Sequence, residues 1–333
     1  MTRVREFGRI GGEVVHEVEL RSPGGAVASI VTLGATLRDL VVPLADGTPR
    51  RVVLGYETLE ALARDPAYLG VIAGRTANRI GGGGFVIDGR RHDIATNEGT
   101  STSLHGGPQG FSRRIWRIEA VGEAEVELSL VSPDGDQGYP GRVEARCRYT
   151  LSEAGTLTVA LSATSDAATP INLTNHAYFT LNDGGDCHET VLRLAARFYT
   201  PVDAAMIPTG EVAPVGGTAF DYREARPIGC DHDVNFVVDG APGVSVVAAV
   251  ASAPDGRLRL EVETDQPGLQ LYTAQHLGSV GPSNGGLRIA PRSGFCLEAQ
   301  GFPDAPNRRH FPSVLLRPGE VYRHRTIFRF VAA

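Results

Sequence analysis

The chain has 333 residues with a formal charge of -6, so it carries no overall basic field of the kind that gathers nucleic acid. At this length it buries about 75% of its unfolded surface, enough for a core without disulfides or a structural metal. All 32 of its Lys-plus-Arg positions are arginine, which excludes Schiff-base lysines, a pyridoxal phosphate anchor and the Walker A lysine.

The amino-terminal stretch MTRVREFGRIGGEVV has no apolar h-region, and no run is long enough to span a bilayer. A soluble, cytoplasmic protein with no membrane partner is expected. Short alternating runs then follow, rich in Val, Leu and Thr, and 41 Gly and 21 Pro separate them. Val27 to Leu33, Val126 to Val131, Thr156 to Ser162, Val244 to Ala249, Leu258 to Glu263 and Leu269 to Thr273 read as strands. Asp-Gly pairs at 46–47, 88–89, 134–135, 239–240 and 255–256 are the strongest short hairpin signal. Only Thr58 to Arg64 looks helical. No repeat of fixed period suggests a propeller, and no composition shift marks a boundary. The expected fold is all-β: one large antiparallel β-sandwich over residues 1–333.

The first dense patch is Gly74 to Phe85, GRTANRIGGGGF. It lacks GK[ST] and does not lead from a strand into a helix, so a glycine-rich hairpin fits better than a phosphate cradle. Arg75, Asn78 and Arg79 on it either hold a hydroxylated or anionic ligand or sit on a surface turn. In Ser103 to Phe111, SLHGGPQGF, His105 precedes two glycines, which implies little cover and an accessible imidazole.

Pro170 to Leu181, PINLTNHAYFTL, carries a polar knot of Asn172, Thr174, Asn175 and His176. If buried, such groups need partners, and a cleft lined by them is expected. In Cys230 to Val237, CDHDVNFV, Asp231 and Asp233 share a side if the run is extended, while His232 points away. A metal site is not expected there, and Cys147, Cys187, Cys230 and Cys296 form no CxxC pair. Gln270 is the lone amide of the apolar strand PGLQLYTA. Glu298, in SGFCLEAQGFPDAPN, ends an apolar run just before a loop rich in Gly and Pro. Alternation puts it with Cys296, opposite Phe295 and Leu297, as either a solvated strand residue or a working carboxylate.

Together His105, His176, Asp233 and Glu298, with Asn78, Arg79 and Gln270 around them, suit proton transfer on a polyhydroxylated neutral molecule. No cofactor motif, thiolate site or nucleophile elbow accompanies them. Two sugar reactions fit. One is hemiacetal opening by a Glu base and a His acid; the other is glycoside hydrolysis by Asp233 and Glu298 as a carboxylate pair.

From about the seventieth residue onward, the stretches GRTANRI, SLHGGPQGF, SPDGDQGYPG, TPINLTNHAYFTL, PTGEVAPVGGTAFD, QPGLQLYT, SGFCLEAQGFPDAPN and FPSVLLRPGEVY resemble, in order, those of the aldose 1-epimerase (galactose mutarotase) family. The resemblance implies a large antiparallel β-sandwich with an open sugar cleft. It also implies a cofactor-independent, metal-free isomerase whose partner is a small monosaccharide such as galactose or glucose. Residue by residue it makes Glu298 the general base, His176 the general acid at the ring oxygen and His105 its assistant. Asn78, Arg79, Asp233 and Gln270 become substrate-binding groups. The family's Asp-His-Asn-Phe run reads DHDVNF here; alignment on Asn235-Phe236 selects Asp233, and alignment on Asp-His selects Asp231. A hexose 6-phosphate epimerase, with Arg75, Arg113 or Arg114 meeting the phosphate, and a non-catalytic sugar-binding module are the alternatives.

Overall fold

The computed structural model describes residues 2–152, 155–241 and 243–332. Its largest element is a nine-stranded antiparallel sheet. The strand order is Arg117–Val121, Glu125–Ser132, Val143–Ser152, Thr156–Ser165, Tyr322–Ala332, Leu258–Thr264, Val246–Ser252, Val191–Leu194 and Arg226–Pro227. The alternation of its sequence decides its faces. Along Val143–Ser152 every second side chain from Val143 to Leu151 is buried, while Glu144, Arg146 and Arg148 point to water.

A six-stranded sheet lies against it, ordered Tyr178–Phe179, Phe295–Gln300, Gly268–Tyr272, Asp233–Val237, Phe198–Thr200 and Ala213–Pro214. The two inner faces share one apolar core. Phe179 of the smaller sheet meets Phe328 of the larger at 5.0 Å and Phe330 at 6.2 Å between ring centroids. The strand Phe295–Gln300 is buried along its whole length. Phe295, Leu297 and Ala299 enter the core, leaving Cys296, Glu298 and Gln300 for the other face.

A five-stranded meander from Arg3–Ile10 to Pro49–Arg51 flanks the sandwich. The helix Leu59–Arg64 is capped by Thr58, whose Oγ1 accepts the Ala61 N–H at 3.3 Å. Its buried Leu59 and Leu62 pack on Val15, Val31 and Leu33. Among the described residues no helix is long and apolar enough to cross a membrane.

The all-β antiparallel expectation matches this architecture. Leu258 to Glu263 forms the strand Leu258–Thr264, and Thr156 to Ser162 extends to Ser165. Asp88-Gly89, with φ of 48° and 82°, turns the hairpin Gly84–Ile87 to Arg90–Asp93. Asp239-Gly240 instead lies where the chain leaves the six-stranded sheet for the nine-stranded one. A change of sheet needs a longer path than a two-residue turn.

Candidate functional site

Three neighbouring strands of the smaller sheet present a polar face outward. Asn235 pairs with Gln270, and Gln270 with Glu298, in one register row. The next row runs Asp233, Tyr272, Cys296 and Tyr178. This face floors a cleft of about 380 Å³. Asn78, Arg79 and His105 reach it from a two-stranded ribbon, Arg79–Ile80 with Ser103–Leu104, in which Leu104 pairs with Arg79. The expected glycine-rich hairpin is corrected by this pairing: Gly81 to Gly83 link the ribbon to a separate hairpin, Gly84–Ile87 with Arg90–Asp93, that lies between its two strands in sequence. His176, Asp233 and Glu298 complete the set.

Glu298 is not a solvated strand residue: it is 2% exposed, and its Oε2 has no hydrogen-bond partner among the described residues. A buried carboxylate oxygen without a donor is costly as structure and available as a base. Burial pushes its pKa well up, the Asp233 charge adds to that, and the Arg79 guanidinium partly offsets it. His176 Nε2 stands 3.6 Å from that oxygen. On the far side of the ring, Nδ1 lies 3.6 Å from the Cys296 sulfur. Burial pushes the Cys296 thiol up, so it stays protonated, and pulls His176 down to about 4. The sulfur occupies the Nδ1 side, which leaves Nε2 as the ring nitrogen that faces Glu298.

His105 is buried rather than accessible, at 5% exposure. The glycines that suggested exposure serve a close backbone approach instead. A side chain on Gly106, at φ 86°, would strike the Gly74 carbonyl oxygen. His105 and Asn78 hold each other: the His105 N–H donates to the Asn78 carbonyl at 3.0 Å, and the Asn78 N–H donates to His105 Nδ1 at 3.2 Å. That bond places the imidazole proton on Nε2. Burial and the charges of His176, Arg79 and Arg113 keep the ring neutral, with a pKa well below the usual value. Asn78, His105 and nearby Tyr68 adopt left-handed backbone with φ of 58°, 51° and 61°, a strain that clusters where side chains must be aimed.

Arg79 Nε and Nη2 donate to both oxygens of Glu98 at 2.6 and 2.8 Å, and Nη1 lies 3.7 Å from Asp233. Its carbonyl accepts the Asp304 N–H at 2.9 Å. The Asp304 carboxylate gathers the Gly81 N–H, the Asn307 amide and Arg308 Nε at 3.1, 2.8 and 3.0 Å. The loop after Glu298 thus fastens the ribbon that carries Arg79. Gln270 sits beneath Asp233 and donates to it at 2.6 Å. Gln300 donates in turn to Gln270 and Asn235 at 3.2 and 3.3 Å. Burial raises the Asp233 pKa, opposed by Arg79 and by Gln270.

Asp231 lies elsewhere. It precedes the strand Asp233–Val237, takes both Arg292 bonds at 2.7 Å and pairs with His188 at 3.0 Å, so it does not share Asp233's side. The polar knot also divides. His176 alone reaches the cleft, while Asn172 bonds Gly301, Thr174 donates to the Ala299 carbonyl, and Asn175 reaches Gly70 and Tyr149. These are core contacts, with only Asn175 Oδ1 of the three side chains left without a partner among the described residues, which corrects the expectation that the knot lines the cleft. Arg75 is buried on Ser132, Pro133 and Pro140, and Arg114 is paired with Asp136. Arg113 donates to the Asp65 carbonyl and lies over Tyr68. None of the three is among the cleft's lining residues.

His105, His176 and Glu298 place donor atoms within 4.8 Å of one another, a set that could in principle hold a metal. Sequence reading missed Tyr68, Tyr178, Tyr272 and His276 on the cleft wall, and Glu98, Asn235 and Gln300 behind it. The period-2 rule offered a signal for four of these. Asn235, Gln300 and Tyr272 stand two residues from Asp233, Glu298 and Gln270, and Tyr178 two from His176.

Comparison with known proteins follows the same geometry. A family model described as aldose 1-epimerase matches residues 16–329. Human galactose mutarotase is 41% identical over 339 residues, spanning 98% of each chain. The aldose 1-epimerase of Escherichia coli K12 is 35% identical over 336 residues, spanning 96% of each. The crystal structure of an aldose epimerase homologue from C. elegans superposes with a TM-score of 0.89 at 29% identity, covering 95% of this chain and 99% of that one. Galactose 1-epimerase from Lactobacillus acidophilus superposes with a TM-score of 0.86 at 29% identity, covering 100% and 99%.

Proposed function

The chain belongs to the aldose 1-epimerase family, and we propose that Glu298 and His176 open and reclose the hemiacetal ring of a free aldohexose such as galactose or glucose in this cleft. The observation that carries the assignment is the buried Glu298 Oε2, without a hydrogen-bond partner among the described residues, facing His176 Nε2 at 3.6 Å. That gap is too long for a hydrogen bond and leaves each group free to engage a substrate oxygen.

The protons balance in a simple way. Glu298, as carboxylate, takes the proton of the anomeric hydroxyl. The bond from the anomeric carbon to the ring oxygen breaks, and the ring oxygen receives the Nε2 proton of imidazolium His176. The sugar is then an open-chain aldehyde, and the pair is carboxylic acid plus neutral imidazole. Rotation about the bond between the first two carbons presents the other carbonyl face. The same two protons then run back and close the opposite anomer. The pair holds one proton throughout, and burial, which penalises both charged forms, favours the arrangement that accompanies the open chain.

His105 supplies an Nε2–H to the ring oxygen or an adjacent hydroxyl. Asn78, Arg79 and Asp233 hold hydroxyls, and Gln270 acts through Asp233. The whole chain, 1–333, works as one domain. Neither a sugar 6-phosphate nor binding without turnover is favoured, because Arg79, the arginine among the described lining residues, is already paired with Glu98, and binding needs no matched acid and base. Polarimetry of freshly dissolved α-galactose and α-glucose tests the reading. Enzyme-dependent acceleration to the equilibrium rotation is expected, and no acceleration with either sugar overturns it.

A further inference from the structure

Arginine in a sugar cleft has two possible uses. Its free edge grips a phosphate or carboxylate through two parallel N–H bonds, or, with its charge already compensated, it donates to neutral hydroxyls. In this cleft the Nε/Nη2 edge of Arg79 is occupied by Glu98 at 2.6 and 2.8 Å. Asp233 approaches the remaining nitrogen, Nη1, at 3.7 Å. Two carboxylates therefore surround one guanidinium whose side chain is only 12% exposed.

Glu98 is not a chance surface contact. The loop that carries it is built to hold it there. The backbone N–H groups of Asn97 and Glu98 both donate to the Thr102 carbonyl, at 3.1 and 3.2 Å. The Asn97 side chain accepts the Leu104 N–H at 2.7 Å and donates to the Leu104 carbonyl at 3.0 Å and to the Tyr68 hydroxyl at 3.2 Å. Leu104 is the register partner of Arg79 and the neighbour of His105. One asparagine thus ties the Glu98 loop to the same ribbon that presents Arg79 and His105.

We propose that Glu98 is a positioning residue that sets the charge specificity of the cleft: by filling the anion-gripping edge of Arg79 it reserves that arginine for neutral hydroxyls and turns away aldoses bearing a phosphate or carboxylate. This rests on the mutarotase reading and adds the determinant of substrate charge. Removing Glu98 frees an edge of the proper geometry and deletes one negative charge from beside it, and both changes favour an anionic sugar.

The experiment measures kcat and KM for glucose, glucose 6-phosphate and glucuronate with the wild type and with Glu98→Gln, Glu98→Ala and Glu98→Asp. For the Gln and Ala variants the ratio of kcat/KM for glucose over the two anions falls by about tenfold or more, and it recovers as added salt screens the new attraction. The loss on glucose lies mainly in KM. Glu98→Asp, which keeps the charge one methylene further back, retains most of the discrimination. A merely structural role predicts equal losses on all three sugars with a lower Tm and an unchanged ratio, and that result overturns the proposal. If the wild type fails to accelerate glucose mutarotation at all, the mutarotase reading fails first, and the two failures are distinguishable.

Discussion

His176 Nε2 and Glu298 Oε2 face each other across 3.6 Å, both buried and both held off their ordinary protonation by the same loss of water. The separation suits a sugar oxygen from each side better than a direct bond between the two. The behaviour of variants at and around this gap follows from that arrangement.

Replacing the base while keeping its shape isolates its chemistry. Glu298→Gln should lower kcat by about 10³-fold, within the range for general acid–base catalysis, with KM changed by no more than about threefold. The fold should survive, since a neutral amide is cheaper to bury than a carboxylate. Polarimetry with a thermal melt checks both, and near wild-type turnover would remove Glu298 from its role.

The other face of the imidazole gives a subtler test. Cys296→Ser keeps an X–H group toward His176 Nδ1 and should leave kcat within about twofold, whereas Cys296→Ala loses a contact worth about 1 kcal/mol, or roughly fivefold in kcat. Equal rates for the two variants would mean that the sulfur only fills space.

Asp231 and Asp233 are two residues apart in sequence and separate in function. Asp233→Asn should cost about 10²-fold in kcat/KM, because it strips the partner of both Arg79 and Gln270 inside the cleft. Asp231→Asn breaks a surface pair with Arg292 and should cost less than about 1 kcal/mol of stability with kinetics intact. Steady-state kinetics on both variants decides it, and an inverted pattern would restore the alignment through Asp-His.

Acid should destabilise the protein through its buried histidines. Burial depresses His176, His232 and His324 to about 4, and His105 well down, from the ordinary imidazole value of 6.5. Between those values and 6.5 the unfolded chain binds more protons, so stability is fully present above 6.5 and falls as pH drops toward 4. Glu298 works in the opposite sense. Its folded pKa is raised, so its contribution is present below 4.5 and fades as pH rises through the folded value. Urea melts at pH 7, 6, 5 and 4.5 should show the decline, and His176→Gln should flatten it; an unchanged slope would contradict the assignment.

Much of this was legible in residue order. Strand positions followed from alternation: Leu258 to Glu263 was within one residue of its strand, and Glu298's facing with Cys296 came from period 2 alone. Burial was less legible. His105 looked exposed because glycines flank it, yet those glycines exist to let two backbones touch. Asn172, Thr174 and Asn175 resembled a cleft lining because side-chain partners such as Tyr149 are distant in sequence. Glu98, a lone carboxylate in the polar turn TNEGTS, had no local mark at all. Its meaning appears only when Arg79 is seen lying against it.

The strand Tyr322–Ala332 follows every other strand of the described residues in sequence, yet it sits in the interior of the nine-stranded sheet, between Thr156–Ser165 and Leu258–Thr264. During synthesis the two halves of that sheet must each wait with an open hydrogen-bonding edge. Unpaired edges recruit other strands, including those of neighbouring nascent chains. The strand that joins the two halves is therefore made after both of its neighbours, and a chaperone that shields strand edges would shorten the interval in which aggregation competes.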